Sequence, residues 1–94
     1  MIALFGCSLD PKVRYEVSGS ATSADAKYYN HTGGLEMQNG ASVPWSHSFT
    51  GRNGTMAMLS ASSRTGTVTV TIYVNGYVYK TSMGPGFAVV SGAL

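Results

Sequence analysis

The segment Thr67-Val68-Thr69-Val70-Thr71-Ile72-Tyr73-Val74, followed at once by Asn75-Gly76 and then by Tyr77-Val78-Tyr79-Lys80-Thr81, leaves this chain little freedom in how it folds. Its side chains change character at every second residue, the period of a strand with one face buried. Asn and Gly both tolerate the positive φ of a type I′ turn, so the pair between two alternating runs signals a tight hairpin. A two-residue loop also sets the register. It places Val74 opposite Tyr77, Ile72 opposite Tyr79 and Val70 opposite Thr81. Val70, Ile72 and Val74 then share a core face with two tyrosines, while Tyr73 beside Val78 and Thr71 beside Lys80 face solvent.

The same period runs through the rest of the chain. Val13, Tyr15 and Val17 alternate with Arg14, Glu16 and Ser18, and Ala24, Ala26 and Tyr28 repeat the pattern. Leu35 to Gln38 reads as a strand closed by the turn signal Asn39-Gly40. Val43, Trp45 and Phe49 share one side of the next, with Pro44 at its start or on an edge because it cannot donate to a ladder. Ala57, Leu59 and Ala61 form another inward set. After a Gly84-Pro85-Gly86 loop, Phe87 to Ser91 makes a last strand expected to pair inside the fold. No stretch carries a helical period over the 11 or more residues that the pattern needs. Seven or eight short strands separated by turn signals predict an all-β fold, an immunoglobulin-like antiparallel β-sandwich. An eight-stranded barrel has the same periodicity. With 94 residues there is room for one core, placed at residues 12–94 behind a tether at residues 1–11.

Charge narrows the function classes. Only 11% of the residues are charged, less than half of the roughly 25% usual in soluble domains, so surface polarity must come from Ser, Thr, Asn and Gly, as suits an exported β-protein. The six basic residues are scattered, with only Lys12 and Arg14 close together. That pattern lacks the basic stripe of a nucleic-acid reader. A single cysteine excludes an internal disulfide. Leu4-Phe5-Gly6-Cys7, after a short apolar run, looks like a bacterial lipobox, in which the chain is cut before the cysteine and a lipid is attached there. The competing reading is an apolar terminus with a cysteine of no special role. Nothing approaches the ~20 apolar residues of a membrane-spanning helix.

Tyr15-Glu16-Val17-Ser18-Gly19-Ser20-Ala21, Ala24 to Tyr29, Val43-Pro44-Trp45-Ser46, and Val68 to Val74 with Asn75-Gly76 together resemble the soluble domain of the mycobacterial small membrane proteins called MmpS, and related bacterial lipoprotein domains. The resemblance extends from Val13 to about Lys80. It implies an immunoglobulin-like domain on the outer side of the cytoplasmic membrane, acting as accessory to a large lipid or siderophore exporter. Members of that family carry an N-terminal transmembrane helix; here the expected anchor is a lipid on Cys7.

Catalytic chemistry finds few candidates. His31 lies in an expected turn, and His47, between Trp45 and Phe49, is expected at a rim or rotated outward by a bulge. No Gly-x-Ser-x-Gly elbow is present, no second ligand accompanies either histidine, and no helix follows Gly84-Pro85-Gly86 to bind a phosphate. The sequence therefore predicts no catalytic residues, no metal and no cofactor. Tyr29 and Tyr73 are expected on the outer face, as are Met56 and Met58, and these four are the candidate contacts to a partner or glycan. Asn30-His31-Thr32 and Asn53-Gly54-Thr55 match glycosylation acceptors that only a eukaryotic secretory route would use. The expected function is that of a non-catalytic cell-envelope module, lipid-anchored and facing outward, that binds a protein partner such as an exporter. Two alternatives remain: a structural subunit that self-associates through edge strands, and a secreted carbohydrate-binding module.

Overall fold

The computed structural model describes residues 10–94; the tether and Cys7 lie outside or at the margin of that range. Six strands follow one another, β1 (Lys12–Ser18), β2 (Ser23–Tyr29), β3 (Leu35–Ser42), β4 (Trp45–Thr50), β5 (Met56–Val74) and β6 (Tyr77–Ala93). All pair antiparallel in one sheet of order β3-β2-β5-β1-β4, with β6 on the other edge of β5. The chain is all-β, as its periodicity predicts, but it has six strands in place of seven or eight. The loop expected at Gly84-Pro85-Gly86 is a bend within β6, and the segments read separately around Ala61 and from Thr67 are one bent strand, β5, so that two long strands of 19 and 17 residues result. The sheet does not close, because β3 and β4 end the order unpaired to each other.

Two glycines make the bends. Gly66 has φ +71° and lies so close to Ser20 and Ala21 that a Cβ there would meet Ser20 Oγ at 2.6 Å. In β6, Gly86 has φ +81°, and a Cβ on Gly84 would run into the Phe87 carbonyl. Bent at these points, the sheet has two arms. In one, the C-terminal part of β5 pairs with β1 through Ile72↔Tyr15 and Val70↔Val17, and β1 pairs with β4. In the other, the N-terminal part pairs with β2 through Leu59↔Tyr28 and Ala61↔Ala26, and β2 pairs with β3. The curl turns both inner faces onto one core, built from Val13, Tyr15 and Val17, Ala24, Ala26 and Tyr28, Ala57, Leu59 and Ala61, and Val68, Val70 and Ile72. Those inward sets are the ones the alternation predicts.

Four expectations fail. The turn is as predicted, with Asn75 at φ 53° and Gly76 at φ 85°, and Val74 faces Tyr77. Beyond Tyr73↔Val78, however, the register shifts, and Ile72 faces Lys80. Tyr79 is the extra residue, a bulge, and its hydroxyl donates instead to the Ala93 carbonyl. Neither tyrosine joins the core: Tyr77 is 78% exposed and Tyr79 38%. Asn39-Gly40 is no turn but an irregularity inside β3, where the Gly40 N–H donates to Asp25 Oδ1 at 2.8 Å. Phe87 to Ser91 belongs to an edge strand, paired with β5 alone.

Gly66→Ala adds the cost of left-handed backbone, roughly 1–2 kcal/mol, to a clash with the Ser20-Ala21 backbone. Gly54 has φ +89° with nothing within 4 Å of a Cβ, so Gly54→Ala carries the backbone cost alone. Urea denaturation should therefore find Gly66→Ala the less stable of the two variants.

Candidate functional site

Strand β4 carries Trp45-Ser46-His47-Ser48-Phe49, with serines at alternate positions. Its pairing with β1 sets Trp45 beside Val17, His47 beside Tyr15 and Phe49 beside Val13. The β1 residues are buried, so the three rings lie on the inner face. As β4 ends the sheet, these rings are only partly covered. His47 thus points the same way as Trp45 and Phe49 and lies half-buried on the edge strand, the rim placement of the two expected for it, with no bulge.

Rings from three strands meet here. Tyr28, on the opposing arm, lies 5.4 Å from the Trp45 ring and 4.9 Å from the His47 ring, centroid to centroid. Trp45 and His47 stack at 6.3 Å with an interplanar angle of 14°, His47 and Phe49 are 5.9 Å apart, and Tyr15 meets Phe49 edge-on at 5.1 Å. Glu36 on β3 supplies a carboxylate at the rim. It accepts from Asn30 Nδ2 at 2.6 Å and, more weakly, from the Tyr28 hydroxyl at 3.5 Å. Burial, then the Glu36 carboxylate, holds the Tyr28 pKa above its ordinary value. Such a row offers flat, polarisable faces to an apolar side chain, a cation or the C–H face of a sugar. Among the described residues no group of three His, Cys, Asp or Glu side chains comes together to hold a metal.

Tyr15 forms the floor. Fully buried, it reaches from β1 across the core and donates its hydroxyl to the Tyr29 carbonyl at 2.7 Å. The same oxygen accepts the Met58 N–H. The β2–β5 ladder ends at Tyr28↔Leu59, so the hydroxyl sits between the next two residues of the ladder, Tyr29 and Met58. Desolvation pushes the Tyr15 pKa up to about 12, partly offset by the Met58 N–H.

The four predicted contact residues do not converge. Met56 is half exposed, Met58 partly buried, and both lie on the outer face, opposite the buried Ala57, Leu59 and Ala61. Tyr29 ends β2 on that same arm. Tyr73 is on the outer face of the other arm and already has partners: its hydroxyl donates to Glu16 Oε1 at 3.1 Å, and the Arg14 guanidinium lies 4.2 Å from its ring centre. The Glu16 hydrogen bond raises the Tyr73 pKa. Cys7 lies outside the described residues. The aromatic row was legible in principle from the unbroken alternation of Trp45, His47 and Phe49 with two serines. Its junction with Tyr28 and Glu36 depends on the curl of the sheet and has no local signal. A separate hydroxyl-lined depression of about 380 Å³, among Ser23, Asp25, Ser62, Ser63, Arg64 and Thr65, lies at the bend.

The fold and this opening define a small all-β module with a half-covered aromatic row on one edge strand. The chain belongs to the Mycobacterium membrane protein family, the MmpS-like proteins, whose sequence model matches residues 6–87. Membership makes it a membrane-associated protein of the cell envelope. No individual curated protein matches it. Among the described residues no helix is long and apolar enough to cross a membrane.

Tyr15→Phe leaves the Tyr29 carbonyl and the Met58 N–H without their partner in a buried place, a loss of about 1–3 kcal/mol. Thermal unfolding should fall by several degrees, at roughly 4–8 °C per kcal/mol for a domain of this size. The pH dependence has a definite sign. Above the ordinary value of 10.0 the unfolded chain loses the Tyr15 proton while the folded chain keeps it up to about 12. Stability from this group is full below pH 10 and declines as pH rises towards 12, by up to about 1.4 kcal/mol per pH unit. Tyr15→Phe should show a shallower alkaline decline than the parent in urea titrations at pH 9 to 12.

Proposed function

We propose that this protein is a non-catalytic accessory module of an envelope export system, tethered to the membrane by a lipid on Cys7 and binding its protein partner through the aromatic row of β4. The observation that carries the reading is the row itself. Trp45, His47 and Phe49 occupy alternate, inward positions of an edge strand, the first two packed against Tyr28 and Phe49 against Tyr15, yet all partly open to solvent. Large aromatic side chains in half-formed pockets are the usual anchors of protein contacts, because they bury much area at little cost in conformational entropy.

Four further features support it. Family membership brings the membrane, and the two-armed curl around a shared core suits an immunoglobulin-like sandwich. The sparse charge leaves shape and apolar contact, not electrostatic steering, as the basis of recognition. Glu36 at the rim favours a partner with a basic or amide group beside its apolar anchor. Facing outward from the cytoplasmic membrane, the module would present this row to an exporter in the same membrane, where a shared anchor raises effective concentration.

The test has two independent parts. Metabolic labelling with a fatty-acid probe in a bacterial host should label the protein with an upstream signal region restored, and Cys7→Ser should abolish the label; no labelling beside a control lipoprotein that labels removes the tether. Co-purification with the cognate exporter should fall at least tenfold in Trp45→Ala, as expected for loss of an anchor worth about 2 kcal/mol. Equal recovery of parent and variant, both folded by circular dichroism, sinks the aromatic contact.

A further inference from the structure

Strand β6 offers a second surface, on the side of the sheet away from β4. Leu94 fixes which of its backbone groups are open: the Leu94 N–H donates to the Thr55 carbonyl at 2.8 Å, and the Leu94 carbonyl accepts the Gly54 N–H at 2.7 Å, so both face the β5 side. From Ala93 back to Phe87 the register with β5 is continuous. In an antiparallel ladder successive residues turn their N–H and C=O groups to opposite edges. Ala93, Ser91, Val89 and Phe87 therefore turn theirs away from β5, to an edge where β6 has no strand neighbour. Ala93 agrees with this assignment, since its carbonyl accepts the Tyr79 hydroxyl. That bond limits the open edge at one end, and Pro85, with no N–H, limits it at the other. Between them lies Phe87-Ala88-Val89-Val90-Ser91.

We propose that this edge is the contact between two copies of the chain, paired antiparallel about a two-fold axis at Val89. The register is self-complementary. Val89 meets its own counterpart, and Phe87 meets Ser91 of the other copy, so each open N–H faces an open carbonyl, as an isologous contact requires. Phe87 and Val89, 56% and 46% exposed, project on one face of the edge and come together diagonally across the axis. Charge points to a second copy in preference to an unrelated strand. No residue of the paired stretch Phe87 to Ser91 is charged, and the Lys80 side chain beside Gly92 lies beyond its outer end. Two copies therefore do not repel along the contact, and the paired residues have no charge with which to select another partner. Natural sheets commonly protect such edges with lysine, proline or a bulge; here the five residues have none of these. Once paired, the edge is used up, which closes the assembly at two. The contact is short, at the low end of specific interfaces, so it forms at high local concentration. It needs neither the membrane tether nor the aromatic row.

The test uses the full chain with Cys7→Ser, which removes the only cysteine. Sedimentation equilibrium over rising concentration should show a shift from the monomer mass to twice that mass and no higher. In the same background Val89→Cys should form a disulfide-linked dimer under mild oxidation, because hydrogen-bonded antiparallel pairs hold their Cα atoms about 5.5 Å apart, within disulfide range. Lys27→Cys, on a strand with neighbours on both sides, is the control, and Val89→Cys should cross-link at least tenfold faster. Val89→Pro deletes an N–H that faces the open edge, leaves the β5 ladder intact and should remain monomeric. If that variant does not fold, Val89→Lys, which sets like charges across the axis, provides the same readout. A monomer mass at every concentration, or cross-linking of Val89→Cys no faster than the control, overturns the proposal and leaves the edge to a strand from another protein.

Discussion

One hydroxyl group holds the two arms of the sheet in their relation to each other. Tyr15 belongs to β1, yet its oxygen lies between the Tyr29 carbonyl and the Met58 N–H, where β2 and β5 would otherwise have continued their own ladder. A buried backbone pair left open would be costly, and a ladder that closed on itself would leave the tyrosine hydroxyl unpaired in the core. Each half satisfies the other. The ring that carries this hydroxyl is then fixed in position, 5.6 Å from Tyr28 and 5.1 Å from Phe49. From it follows the spacing of the aromatic row: Tyr28 can reach Trp45 and His47 only because the arms are held together at that depth.

The same arrangement explains what the sequence could and could not disclose. Inward sets such as Ala24, Ala26 and Tyr28, or Ala57, Leu59 and Ala61, are legible because burial on one face imposes a period of two on neighbouring residues. The Asn75-Gly76 turn is legible because its backbone conformation restricts the residues at the turn itself. The bulge at Tyr79 is different. It is stabilised by a carbonyl fourteen residues further on, which no local pattern encodes. For the same reason Gly84-Pro85-Gly86 reads as a loop between strands, although Gly86 is a bend within one: a positive φ serves either purpose, and the choice lies in whether the chain beyond regains a partner. β5 and β6 regain one another. At the site, the side on which Trp45, His47 and Phe49 lie was written in the sequence, while the approach of Tyr28 and Glu36 was not.

Low charge has different consequences on the two faces. On the outer face of the arm that contains β1, polarity is supplied by hydroxyls and paired ions: Thr71 and Thr81 share a hydrogen bond at 3.1 Å, and Arg14, Glu16 and Tyr73 form one connected group. These groups satisfy one another and leave little to attract a charged ligand. Three outer positions on β6 are apolar instead, Met83, Phe87 and Val89, all exposed. A protein that met only water would gain nothing from such residues on an unpaired edge.

The positions of the two unsatisfied regions make them compatible. Phe87 to Ser91 pairs with the N-terminal part of β5, in the arm of β2 and β3, whereas β4 pairs with β1 in the other arm. A partner seated on Trp45, His47 and Phe49 therefore need not displace a second copy paired along Phe87 to Ser91. Because β5 takes part in both arms and pairs with β6 on either side of the bend, the two surfaces belong to one sheet. A partner on either surface therefore bears on the one strand, β5, that both arms share.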